Sequence, residues 1–149
     1  MLKVRDIMTT DPITAHPDED IGRVAKLLLE EHINGVPVTD RDNTLVGILT
    51  QSDLVAMQKK FPLPTVFTLL DGILPLSSLS RMEKEVEKMT ASTVDQAMTS
   101  DPVSVAPETS VEEVAQLMAD NKFHTLPVVD NGELVGVIGK EDVLRTLYK

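Results

Sequence analysis

The chain has 149 residues and a net charge of −10, with 24 acidic against 14 basic residues and no cluster of the latter, which disfavours nucleic acid as a partner. Hydrophobic residues reach 42%, enough for one compact domain or two half-sized units sharing a core, while aromatics at 3% argue against base-stacking platforms. Cysteine is absent, which excludes a disulfide framework, a thiolate metal site and a thiol nucleophile.

The amino-terminal stretch MLKVRDIM lacks the apolar core of a secretory signal, so a cytoplasmic address is the default expectation. Val4 to Met8 reads as one helical turn, followed by the breaker Thr10-Asp11-Pro12 and a short strand, Ile13-Thr14-Ala15. A first long helix is expected over 21–32. Ile21, Val24, Ala25 and Leu28 recur at intervals of three and four, Asp20 serves as N-cap, and Gly22 in the first turn costs about 1 kcal/mol against Ala. Strands follow at 36–39 and 45–49 around the polar turn Asp40-Arg41-Asp42-Asn43, and a closing helix at 52–60.

The same order then returns. Met8-Thr9-Thr10-Asp11-Pro12 falls on Met98-Thr99-Ser100-Asp101-Pro102, and Pro37-Val38 on Pro127-Val128, 90 positions on. Past the hairpin turn the separation is 89, as Gly47 to Gly136 and Asp53 to Asp142. One residue is thus missing from the second turn, where Asn131-Gly132 supplies the positive φ of a tight hairpin. In this copy Val103-Ser104-Val105 is the first strand, and Val111, Val114, Ala115 and Met118 form the helical stripe. Ser110 and Glu113 make the S-x-x-E capping box, the hairpin strands are expected at 126–129 and 134–138, and the closing helix at 141–148.

The reading is therefore α/β: two β-α-β-β-α units related by a pseudo-twofold axis, occupying 1–60 and 91–149, with a helical insert over 61–90. Within the insert, 61–80 is the longest apolar stretch, but Pro62, Pro64, Asp71, Gly72 and Pro75 interrupt it short of the ~20 apolar residues of a membrane span. Ser80 to Glu83 is a further capping box, opening a helix with Met82, Val86 and Met89 on one face. The insert packs either on its own repeats or on another subunit.

Two readings stay open for Thr50 and Asp53 at the start of the first closing helix. Thr50-Gln51-Ser52-Asp53 matches the capping box [ST]-x-x-[DE]. The same threonine and helix-start N–H groups suit a phosphate, and the carboxylate suits two sugar hydroxyls. The second copy keeps Asp142 but puts Gly139 in place of the threonine.

The doubled MTxDP opening, the strands PVTD and PVVD, and GILTQSD with its echo GVIGKED together resemble a pair of cystathionine-β-synthase-type (CBS) domains, a Bateman module. The resemblance covers nearly everything but the insert. It implies adenine-containing ligands, AMP, ADP, ATP or S-adenosylmethionine, in one or both clefts between the units, with no obligatory cofactor. A regulated partner protein and a homodimer are implied as well. Carried over residue by residue, it places Thr50 and Asp53 in one site with Val103, Ser104, His124, Thr125 and Pro127, with Ile48 lining the base pocket. A second site takes Val137 and Asp142 with Ile13, Thr14, Asn34, Gly35 and Pro37. That site departs from the family pattern at Gly139, where a hydroxyl is expected, and at Asn34, where the first copy lacks the histidine. The departures imply a weaker or differently selective site, where Lys140 either offers charge to a phosphate or stays solvated.

Nothing points to catalysis or to a metal. His16, His32 and His124 lie in different elements without the spacing of a metal pair, His32 reads as a dipole partner at a helix end, and no G-x-S-x-G or Walker A sequence occurs. The expectation is a ligand-binding regulatory module, not an enzyme, with no nucleic-acid or membrane partner. The alternative is a ligand-free oligomerisation or protein-interaction module in which Thr50 and Asp53 only cap a helix.

Overall fold

The computed structural model describes residues 1–60 and 92–148, so the expected insert, with its apolar stretch and the helix after Ser80, lies outside the described residues. In order, the elements are α1 (Val4–Ile7), α2 (Ile21–Glu30), β1 (Gly35–Thr39), β2 (Leu45–Thr50), α3 (Gln51–Lys60), α4 (Val94–Ala97), β3 (Thr99–Ser100), α5 (Val111–Asn121), β4 (Thr125–Asp130), β5 (Glu133–Gly139) and α6 (Lys140–Arg145). Among the described residues no helix is long and apolar enough to cross a membrane.

The long helices form where the apolar spacing puts them. Ile21, Val24 and Leu28 are buried on α2, and Val111, Val114 and Met118 on α5. Asp20 caps α2 by accepting the Gly22 N–H at 3.1 Å, and Ser110 caps α5 by accepting the Glu113 N–H at 3.2 Å. Each helix is followed by a residue at positive φ, His32 (55°) and Lys122 (58°), which reverses the chain toward the next strand.

The hairpins β1–β2 and β4–β5 are antiparallel, with a register shift after Val38 and after Val128. The longer turn is held by Asp40, whose Oδ1 accepts the N–H groups of Asp42 (2.9 Å) and Thr44 (3.0 Å). The shorter turn places Asn131 and Gly132 at φ 51° and 82°, as the Asn-Gly pair requires. The two turns clasp each other. Asn43 Nδ2 donates to the Leu134 carbonyl at 2.9 Å, and Leu134 N–H donates to the Asn43 carbonyl at 3.1 Å.

Three expectations need adjusting. The first strands shrink to single parallel bridges, Ala15 to Val38 and Val105 to Val128, because each segment offers the hairpin only one residue in register. The long helix α2 stops at Glu30, with His32 beyond it in the left-handed region. The closing helix α6 ends at Arg145 instead of reaching 148.

The two cores exchange their leading segments. Val4 is buried with Val105, Val114, Met118, Leu126, Val128 and Ile138, all from the second repeat. Val94 is buried with Ala15, Val24, Leu28, Val36, Val38 and Leu49, all from the first. Backbone bonds fix the exchange: Val4 N–H to the Thr109 carbonyl (2.8 Å) and Thr9 N–H to the Val137 carbonyl (2.8 Å) on one side, Val94 N–H to the Glu19 carbonyl (2.9 Å) on the other. Strand β3 accordingly joins the first repeat's sheet, in the order β1-β2-β3. On the surface Lys3 and Arg5 reach Glu108 at 2.7 and 2.8 Å. The Lys3 hydrogen bond is the main cause that holds the Glu108 carboxyl below the usual carboxylate range.

Candidate functional site

The seam between the repeats opens into two cavities, and the doubled MTxDP motif shapes both. Asp11 and Asp101 take positive φ, 51° and 52°, just before a proline. This is a turn that a short polar side chain tolerates better than most. It sends Ile13 and Val103 toward the opposite repeat's closing helix.

The first cavity, 310 Å³, lies against the start of α3. From the first repeat it takes Asn34, Ile48, Thr50, Gln51 and Ser52. The second repeat contributes Val103, Lys122, His124 and Thr125, with Thr99, Asp101 and Pro102 from its leader. Of the expected residues, Ile48, Thr50, Val103, His124 and Thr125 line this cavity, whereas Asp53, Ser104 and Pro127 stand outside its lining.

The Asp53 carboxylate is engaged within the protein. Its Oδ2 accepts the Thr50 N–H at 2.9 Å and the Thr50 hydroxyl at 3.0 Å, while its Oδ1 accepts the Thr99 hydroxyl at 3.1 Å. The Asp53 N–H in turn donates to Thr50 Oγ1 at 3.2 Å. The capping box suspected from sequence is therefore formed, and Thr99 of the other repeat's leader is added to it. Three of about four acceptor sites on the carboxylate are occupied.

The second cavity, 420 Å³, is the counterpart at α6. It gathers Ile13, Asn34, Gly35, Pro37, Val137, Gly139, Lys140 and Asp142 as expected, and leaves only Thr14 outside. Asp142 Oδ2 accepts the Gly139 N–H at 2.8 Å, and Oδ1 accepts from Arg145 Nη1 at 3.0 Å. Arg145, also 3.8 Å from Glu141, stands where the first repeat has Ala56. The half-buried carboxylate is thus paired with a cation that its counterpart lacks, its side chain only 13% exposed.

Sequence reasoning did not reach several lining residues. Lys122 and His32, the repeat-equivalent residues that end the long helices, border the first and second cavities respectively. Thr9, Asp11 and Pro12 join the second as Thr99, Asp101 and Pro102 join the first. The signal was the doubling of MTxDP itself. A motif repeated around an unfavourable backbone turn marks a place where both copies need the same geometry.

The chemistry on offer is recognition. Each cavity combines an apolar floor, hydroxyls or helix-start N–H groups, and one or two cations, as small-molecule sites do. His16 is spoken for, its Nδ1 lying 2.8 Å from the Thr39 carbonyl. Among the described residues, no three His, Asp or Glu side chains gather as metal ligands would.

Comparison with known proteins bears on this geometry. The family description "CBS domain" matches residues 4–60 and again 93–149. An uncharacterized protein of Methanocaldococcus jannaschii, MJ1426, is 30% identical over 157 residues, covering 99% of this chain and 92% of that protein. The chloroplastic CBSX2 of Arabidopsis thaliana is 31% identical over 134 residues, and the match spans 56% of its length. Among solved structures, CBSX2 in complex with AMP superimposes with a TM-score of 0.74 at 28% identity, over 99% of this chain and 96% of that one. The CBS domain pair of MJ0100, in complex with 5′-methylthioadenosine and S-adenosyl-L-methionine, does so with a TM-score of 0.71 at 26% identity, over 99% and 96%.

Proposed function

The chain belongs to the CBS domain family, and from that premise we propose that it is a regulatory module binding an adenine-containing ligand in the clefts between its repeats. The observation that carries this reading is the pair of cavities of 310 and 420 Å³, each walled by both repeats and each within the range of small-molecule sites. The AMP held by CBSX2, and the adenosine compounds held by MJ0100, support adenine as the recognised group. AMP, ADP, ATP and S-adenosylmethionine are the candidates. A ligand touching both repeats favours one arrangement of them over another, and that difference is what a partner protein would read. We assign it no enzymatic activity and no obligatory cofactor. Two copies form a homodimer, for which light scattering at tens of micromolar protein should give twice the 16.3 kDa chain mass. A monomer mass would contradict that part of the proposal.

In the first cleft the Ser52 hydroxyl and Lys122 face a phosphate, the Thr50 hydroxyl joins them only by giving up its bond to Asp53, and Ile48 with Val103 packs the base. Asp53 retains one acceptor site, so it takes one sugar hydroxyl while capped, and a second only by releasing Thr99. The second reading, a ligand-free interaction module, draws on that same capping geometry. A thermal-shift panel with the four adenine compounds separates the two. At 100 times the dissociation constant, ligand stabilises the fold by about 2.7 kcal/mol, or roughly 5 to 11 °C for a chain of this size. Lys122→Glu should cut the shift from a single-cleft ligand, and no shift with any of the four leaves only the interaction module.

A further inference from the structure

The two cavities share a wall. Asn34, His124 and Thr125 line both, and Asn34 and His124 are the same position in the two repeats, 90 residues apart. Among the described residues no side-chain hydrogen bond engages the Asn34 amide, the His124 imidazole or the Thr125 hydroxyl. Their backbones are tied down instead. The Asn34 carbonyl accepts the Gln51 N–H at 2.9 Å at the start of α3, and the His124 carbonyl accepts the Lys140 N–H at 2.9 Å at the start of α6. Asn34 and His124 are therefore each bonded through the backbone to one cleft's helix start while bordering both clefts.

We propose that this partition couples the clefts antagonistically, so that a nucleotide in one lowers the affinity of the other for a second. The proposal rests on the nucleotide-binding reading above. A neutral imidazole has one N–H and a threonine one O–H. Two anionic ligands on opposite sides of the wall both call for donors, and each of these donors points one way at a time. The ligand that arrives first takes them, and the second meets the acceptor face of the ring. Turning His124 or Asn34 toward one cleft also pulls on a helix start that lines a cleft, giving the coupling a physical path.

The test is calorimetric titration of AMP into the wild-type chain and into two variants that each fill one cleft away from the wall. Ile13→Trp fills the second cleft and Val103→Trp the first. Both positions are surface-exposed, at 38% and 46%, so the indole need not enter the core. Lys140→Glu and Lys122→Glu give a second pair that opposes AMP by charge. The expected result is that the product of the two wild-type association constants falls about fivefold or more below the product of the constants from the two single-cleft variants. In an Asn34→Ala, His124→Ala background the same ratio should approach one. A wild-type ratio of one or above overturns the coupling and leaves nucleotide binding standing, as does one bound equivalent in the wild type with no binding at all in the variant that fills the occupied cleft. No heat with AMP from any form overturns both.

Discussion

Two glycines at equivalent positions make the residue-scale case. A Cβ on Gly136 would lie 2.7 Å from the Thr9 carbonyl oxygen and 2.9 Å from Met8 Sδ, and on Gly47 it would lie 2.6 Å from Met98 Sδ. Both sit where the other repeat's leader crosses the hairpin, so neither is a turn glycine. Each is a gap left for a methionine. Gly136→Val should therefore cost about 1–3 kcal/mol in urea unfolding, as overpacking does, with the leader displaced. Gly22 is the contrast, since a Cβ there meets nothing closer than Asp20 Oδ1 at 3.6 Å. Gly22→Ala should stabilise by about 0.5–1 kcal/mol in the same assay. An equal loss in both variants would mean that leader packing is not what the Gly136 position serves.

At the scale of elements, the caps decide where the long helices begin. Asp20 and Ser110 each satisfy one N–H of a first turn, and replacement of either by Ala should cost about 1 kcal/mol in thermal or urea melts. A loss well below that in both would mean that the apolar stripe alone sets the helix start. The leader turn α1 depends on less local support, and part of it is electrostatic. Glu108 ionises more readily when folded, because Lys3 donates to it. That contribution is present at neutral pH and is lost as pH falls through the depressed folded value. On an exposed pair it is a small stabilisation, and it bears on where the leader docks more than on whether the helices form. The closing helices differ more than their sequences suggest. One is started by a threonine and aspartate box reinforced by Thr99, the other by an aspartate paired with Arg145.

Across the whole molecule, the exchange of leaders makes the two repeats interdependent. Val4→Ala should speed amide hydrogen exchange in β4 and β5, 120 or so residues along the chain, while leaving β1 and β2 protected, and Val94→Ala should do the reverse. Exposure confined to each residue's own repeat would refute the exchanged cores. The sequence by itself determined the duplication, the helix stripes, the caps at Asp20 and Ser110, the Asn-Gly hairpin and the capping box at Thr50, because each depends on residues within a few positions of one another. Most of the second cavity, from Ile13 through Asp142, was reached only through the resemblance to CBS-domain pairs. Only the tertiary structure decided that Val4 belongs to the far core, that Thr99 closes onto Asp53, that Arg145 holds Asp142, and that Asn34 and His124 divide the two clefts. Those are contacts between segments that periodicity and turn chemistry treat separately. Their partners are chosen by how two similar halves pack, and spacing along the chain carries no record of that choice.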